Sequence, residues 1–457
     1  MKKTVVINVV GLTKRLVGEH TPFIKNFLER GRYSKIKPVV PAVTCTAQST
    51  YLTGELPSVH GIVANGWYFK EECEVKFWRQ SNKLVEAPKI WQVLKAEDPK
   101  FTCCNMFWWY NMYSSVDYSV TPRPNYLADG RKIPDCYSHP PSLRDELQKE
   151  LGTFPLFHFW GPKTSIKSSR WIADAAIATD KKYNATLTLV YLPHLDYNLQ
   201  RHGTDMVHIS NDLAEVDHEV KKLVEYFENQ GASIILLSEY GITDVDNPIH
   251  LNRILRKEGY LAIRKERGLE LLDAGASDVF AVADHQIAHI YIKNKTNISK
   301  VKEVLLGTMG VEQELDKEQQ KEVGLCHDRS GDLVVVADKE SWFTYYFWED
   351  DSKAPDYARM VDIHKKPGYD PVEMLTHPKD KLVMLKVLFK LIKKKLGFRS
   401  VMDIIPLEAE LIKGSHGRIP ENDDDWPVLI TNENNLLNSN KIEATEVFSI
   451  LKQHVKP

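Results

Sequence analysis

Five stretches of the chain, residues 4–10, 100–106, 186–192, 233–237 and 333–337, are continuous runs rich in apolar and β-branched side chains, without the strict alternation of a half-exposed strand. Strands of that composition have no face to give to water, and a mostly parallel sheet with helices on both sides covers them. The intervening segments supply the helices. Leu213, Val216, Val220, Leu223, Val224 and Phe227 recur at helical spacing through 209–230, and Gly231 stops that helix just before the next run. Residues 171–182 read as another helix. The expected fold class is α/β, a three-layer sandwich with a mostly parallel central sheet.

At 457 residues the chain can bury one large core, and it reads as a single domain over 1–457. Residues 338–400 change character. Trp342, Phe343, Tyr345, Tyr346, Phe347 and Trp348 crowd together, and 378–397 forms a basic amphipathic pattern with Leu385, Leu388, Phe389, Ile392 and Leu396 on one face. This segment is expected to be an insertion: an irregular aromatic-rich loop, then a helix packed on the domain by the ordinary amphipathic rule. Membrane contact or a partner helix is the alternative for that helix.

A formal net charge of −2 gives no electrostatic reason to expect a nucleic acid polymer or a membrane surface as a general partner. The six cysteines show no C-x-x-C spacing, which suits a reducing compartment. The apolar run after Lys2 and Lys3 is short for a signal peptide, and no stretch reaches the roughly twenty apolar residues of a membrane span. A cytoplasmic protein is expected. Nothing in the sequence sets an oligomeric state.

The segment from Pro38 to Gly54 breaks from a β-rich run into small hydroxyl residues, then reads as a helix ending at Gly54. That places the Thr44 hydroxyl at a strand-to-helix turn where backbone N–H groups point outward, a setting for a nucleophile attacking phosphorus or sulfur. Pro41 to Gly54, followed by Pro57, His60-Gly61-Ile62 and Asn65, resembles the nucleophile segment of the nucleotide pyrophosphatase/phosphodiesterase branch of the alkaline phosphatase superfamily. The resemblance puts Thr44 on the nucleophile and implies an alkaline-phosphatase-like sandwich with insertions near the active site.

A threonine hydroxyl is a poor nucleophile near neutral pH unless a metal cation lowers its pKa, so a Thr44 mechanism requires acidic and imidazole ligands elsewhere in the chain. The resemblance implies metal donors in three further places. After the 186–192 run, Asp196 takes a metal carboxylate position, and Gln200 stands where relatives carry His; His194 or His202 could substitute. After the 233–237 run, Glu239 and Tyr240 stand where relatives carry Asp and His. Near the C-terminus, His416 falls on the last metal histidine, with His364, beside Asp362 and before Gly368-Tyr369-Asp370, as a rival. Val10 occupies the place of the first-strand carboxylate.

The implied metal set is thus Asp196, Gln200, Glu239, His364 and His416, with a divalent ion, zinc before others, and one ion rather than two. Asn8, Lys413 and Arg418 are candidates to touch the substrate oxyanion, and Trp108, in Phe107-Trp108-Trp109-Tyr110, to wall the pocket or stack a flat group. The expected function is metal-dependent hydrolysis or transfer of a small-molecule phosphate ester through a threonine nucleophile at an incomplete or rewired metal site. The alternative from another class is a non-hydrolytic binding protein on the same fold.

Overall fold

The computed structural model of the chain describes every residue except Asp129, Arg399 and Asn438, and the side chain of Lys394. Its centre is a nine-stranded sheet. The strand Thr4–Val9 lies in the middle, parallel to Leu187–Leu192 on one side and Ser233–Leu237 on the other. Cys103–Met106 and Tyr118–Pro122 continue the parallel order beyond Leu187–Leu192, and Cys136–His139 closes that edge antiparallel. On the other side Val428–Thr431 is antiparallel both to Ser233–Leu237 and to Arg32–Lys37, which pairs in parallel with Lys441–Glu443 at the edge.

The central strands are buried throughout, as runs apolar on both faces require. Ile166–Tyr183 and Met206–Glu228 pack together beside them, the first starting earlier than its periodic pattern and the second shifted two to three residues towards the N-terminus. Leu333–Ala337 departs from expectation. It lies in a separate four-stranded antiparallel sheet with Val279–Asp284, Ile287–Ile292 and Val311–Leu315. Its continuous apolar run is real, but a strand covered on both faces in an antiparallel sheet carries the same signature.

The rings from Trp342 to Trp348 form no loose loop. They are buried in a second core with the four-stranded sheet, where Tyr346 and Trp348 lie 4.7 Å apart. The Val383–Lys395 helix, by contrast, does not bury its apolar face as the amphipathic rule predicts, although Val383 and Val387 are half-buried. Most of its large apolar side chains are exposed, and among the described residues no helix or strand packs closely along it. Among the described residues no helix is long and apolar enough to cross a membrane.

Candidate active site

Thr44 is the first residue of the helix Thr44–Thr53, whose ten residues are all buried and which ends at Gly54 with φ +73°. A helix enclosed on every side can be polar only if its side chains find partners. Thr46 Oγ1 donates to the Ile62 carbonyl at 3.2 Å, Thr50 Oγ1 pairs with His60 Nε2 at 3.0 Å, and Tyr51 Oη donates to the Ser238 carbonyl at 3.0 Å. These bonds fix the helix under the carboxyl ends of the central strands. Its N-terminus, which favours an anion, opens with Thr44 onto a cavity of about 1850 Å³.

The residues after the strand ends converge there. Thr44 Oγ1 shares a 3.2 Å hydrogen bond with Tyr240 Oη, and Tyr240 Oη donates to Asp196 Oδ1 at 3.1 Å. Gln200 Nε2 donates to the other oxygen, Asp196 Oδ2, at 2.8 Å, and Tyr369 Oη donates to Gln200 Oε1 at 2.9 Å. Asp196 and Gln200, four apart on the helix His194–His202, share a face as their spacing requires. Buried Lys366, held between Asp370 at 2.7 Å and Glu373 at 2.8 Å, anchors the segment that brings Tyr369 in.

One layer below, Asn8 Nδ2 donates to Glu239 Oε1 at 2.5 Å, and Gln48 donates to the same oxygen. Gln48 Oε1 accepts from the Trp109 backbone N–H at 2.7 Å. Burial pushes the Glu239 carboxyl up to about 8, and the donors Gln48 and Asn8 offset part of that rise. Burial likewise raises Asp196 to about 6.

Sequence reasoning missed a second group. The strand Val279–Asp284 ends at Asp284, which accepts from the Asn65 backbone N–H at 2.8 Å, while His285 Nδ1 bonds Asp284 Oδ1 at 2.7 Å. His285 sits between Tyr369 and His416, each at a ring-centroid distance of 3.7 Å. Its φ of +62° is rare for a residue with a β-carbon and marks a turn made to aim the ring. The signal was there to read: Asp-His at the end of one continuous apolar run and the start of another. His416 Nδ1 bonds the Ala42 carbonyl at 2.7 Å, and the Nε2 atoms of His285 and His416 are buried without a partner. Burial holds both imidazoles well below their usual range, so both are neutral.

The structure brings Thr44, Asp196, Gln200, His364 and His416 onto the wall of one cavity, with Glu239 and Asn8 directly behind. It separates the others. Trp108 is fully buried in the sheet core, and its neighbour Trp109 lines the cavity. Lys413 lines a different, smaller cavity with His202 and Asp244, and Arg418 is turned to Glu312 at 2.7 Å. His364 bonds the Phe77 carbonyl at 3.4 Å, and His202 stacks on His208.

A mixed sheet with helices on both faces, with its pocket at the strands' carboxyl ends, defines an α/β protein of the alkaline phosphatase superfamily. Within it, the chain belongs to the type I phosphodiesterase/nucleotide pyrophosphatase family, whose model matches residues 4–370. That family places it among the phosphoric ester hydrolases. Among solved structures, it is similar to murine ectonucleotide pyrophosphatase/phosphodiesterase 5 at 15% identity, with TM-score 0.58 and coverage of 99% of this chain and 95% of that one. Similarity to the human form is 14% at TM-score 0.60, covering 99% and 95%. Phosphonoacetate hydrolase from Sinorhizobium meliloti 1021, in complex with phosphonoformate, matches at 13% and TM-score 0.60, covering 99% and 96%. Identities this low carry the shared fold.

The family is typically dependent on divalent metal, but the donors that the resemblance implies are engaged, covered or missing at this pocket. Both oxygens of Asp196 are engaged by Tyr240 and Gln200, and the Tyr240 ring covers His416 at 3.6 Å. Val10, fully buried, offers no ligand where the resemblance expects a carboxylate. Among the described residues the one group of three His, Cys, Asp or Glu side chains whose ligand atoms come together is His194, Asp212 and Glu215, and it does not line this cavity.

Proposed function

We propose that the protein hydrolyses or transfers small-molecule phosphate esters through Thr44, with Tyr240 and Asp196 doing the work that a cation does for related chemistry. One observation carries the reading. Tyr240 Oη lies between the Thr44 hydroxyl and the Asp196 carboxylate, at 3.2 and 3.1 Å.

Burial, with the nearby Asp196 charge, keeps the Tyr240 hydroxyl protonated, so it is a donor to Asp196 and an acceptor for Thr44. As Thr44 Oγ1 bonds to phosphorus and the leaving oxygen departs, the Thr44 proton passes to Tyr240 while the Tyr240 proton passes to Asp196. The leaving oxygen takes a proton from water, and the hydroxide so formed attacks the phosphothreonine while the relay returns the proton held on Asp196 through Tyr240 to the Thr44 oxygen as its bond to phosphorus breaks. The helix N-terminus favours the phosphoryl charge, and the inward Nε2 atoms of His285 and His416, buried without a partner, are placed to accept from a protonated oxygen of the ester. The floor is thus built from Thr44, Asp196, Gln200, Tyr240, His285, Tyr369 and His416, with Glu239, Asn8 and Gln48 as support.

The test is hydrolysis of aryl phosphate mono- and diesters, with Thr44→Ala as control and mass spectrometry for a phosphoryl group on Thr44. Activity that is lost in Thr44→Ala, with the adduct found on the wild type, supports the reading. Wild-type protein that binds such esters without cleaving them sinks it and leaves the second reading, a non-hydrolytic binder, which the engaged oxygens of Asp196 favour.

A further inference from the structure

The Val383–Lys395 helix stands beside the mouth of the cavity and has three distinct sides. Met384, Val387 and Leu391, at helical spacing, line the cavity. Turned away from it, Leu385, Leu388, Phe389 and Ile392, with Leu396 just beyond the helix end, form a stripe in which each side chain is 47 to 69% exposed. Lys386, Lys390 and Lys393 follow along the next side. An apolar stripe of this length has no partner among the described residues, although a surface helix of a globular protein ordinarily turns such a stripe inward.

Charge says what fits it. Residues 378–397 hold seven lysines and one acidic residue, Asp380, in a chain whose overall net charge is −2. The excess is local, and it flanks the apolar stripe in the way that suits a layer with anionic headgroups above acyl chains. Lys393 Nζ lies 4.5 Å over the Phe389 ring, with its stem along the apolar side and its charge at the border. Tyr113, Tyr126, Ile133 and Phe157 are exposed and also line the cavity, and the two tyrosines are of the kind enriched at lipid-water boundaries.

The cavity continues the apolar character inward. Phe398, Val401, Ile404, Met360, Phe159 and Trp160 line it together with Thr44, and its volume of about 1850 Å³ exceeds the roughly 300–1,000 Å³ of ordinary small-ligand pockets. We propose that the Val383–Lys395 helix docks the protein on an anionic lipid surface, apolar stripe down, and that the cavity beside it receives the apolar portion of a phosphate ester drawn from that surface. The docking stands on the helix alone; the nature of the ester rests on the hydrolase reading.

The test is co-sedimentation with vesicles of phosphatidylcholine alone and of an equimolar mixture with phosphatidylglycerol. The wild type is expected to sediment with the mixed vesicles and to stay in solution with the neutral ones. A Leu388→Ser/Phe389→Ser/Ile392→Ser variant is expected to lose sedimentation, and a Lys386→Gln/Lys390→Gln/Lys393→Gln variant to lose the preference for anionic lipid. Both should keep the wild-type rate on a soluble aryl phosphodiester, because none of these residues lines the cavity, and should melt close to the wild type, the exposed pairs of Lys386 with Asp380 and of Lys390 with Asp403 contributing little. With mixed vesicles, a phosphodiester bearing a long alkyl chain should be cleaved in preference to its methyl counterpart, and the apolar variant should lose that preference. Wild-type protein that ignores both vesicles, or a dimer by light scattering that the Leu388/Phe389/Ile392 variant dissociates, overturns the docking. Sedimentation without cleavage of any ester retains the docking and rejects the hydrolase reading.

Discussion

Tyr240 lies flat on His416, with ring centroids 3.6 Å apart and planes 6° apart, while its hydroxyl is tied at the tip to Thr44 and Asp196. A phenol held by its face and by its tip has no freedom to swing out. Its position between nucleophile and carboxylate is therefore a fixed part of the pocket, and it can be tested by removing a single oxygen.

Tyr240→Phe keeps the ring and its stacking and deletes the bridge. The expected outcome is a fall in kcat of about 100-fold or more with KM little changed, the size of effect removed with a positioned proton carrier. One oxygen of Asp196 loses its donor, so the chain should also lose about 1–3 kcal/mol of stability. Steady-state kinetics and urea unfolding separate the two effects.

If the relay replaces a cation, dialysis against a chelator should leave aryl phosphodiester hydrolysis unchanged, and added zinc should not raise it. Val10→Asp, which restores the expected first-strand carboxylate, should not raise activity either. It buries an unpaired charge at a fully enclosed position, at a cost of roughly 3–5 kcal/mol. Activity measured before and after chelation checks the first claim, and thermal unfolding of the variant the second.

Acid should weaken the fold through its enclosed histidines. Burial, helped by the charge of His327, lowers His60 from 6.5 to about 3, and burial lowers His289 from 6.5 to about 4. Both rings stay neutral in the folded chain and take up protons on unfolding. Their contribution is therefore complete above pH 6.5 and is lost as the pH falls through about 4 and then about 3. For His60 the effect is on the order of a few kcal/mol. Urea unfolding of wild type and His60→Gln across this range should show a shallower acid slope in the variant.

Gly241 follows Tyr240 where another backbone passes close. A β-carbon there would stand 1.8 Å from the Asp425 carbonyl oxygen and 2.8 Å from Thr13 Cγ2. Gly241→Ala should push the turn, and Tyr240 with it, off Thr44. Loss of activity together with a lower melting temperature is expected, in contrast to Tyr240→Phe, where the loss of activity dominates.

Much of this architecture was legible in the sequence because it depends on local pattern. The runs apolar on both faces located the central strands, and Thr44 and Gly54 bounded the helix between them. Asp196, Gln200 and His416 could be placed in the pocket because each follows a strand or sits in a motif of fixed spacing. The pair Asp284 and His285 was missed since it belongs to the other sheet, and only tertiary packing brings its turn to Thr44. Trp108 and Trp109 show the limit differently. Neighbouring rings in one run face opposite ways, and which one meets the cavity is decided by the backbone after Cys103–Met106. The direction of the Val383–Lys395 stripe was equally hidden, because periodicity reveals that a helix has an apolar side and not what that side meets.

The pairing of Arg32–Lys37 with Val428–Thr431 and Lys441–Glu443 has a bearing on how the molecule comes into being. A ribosome delivers the early strand some four hundred residues before these neighbours, so that edge stays open until Val428–Thr431 has emerged. A chain ending before Val428 would keep most of its parallel strands yet expose Arg32–Lys37 as a template for aggregation.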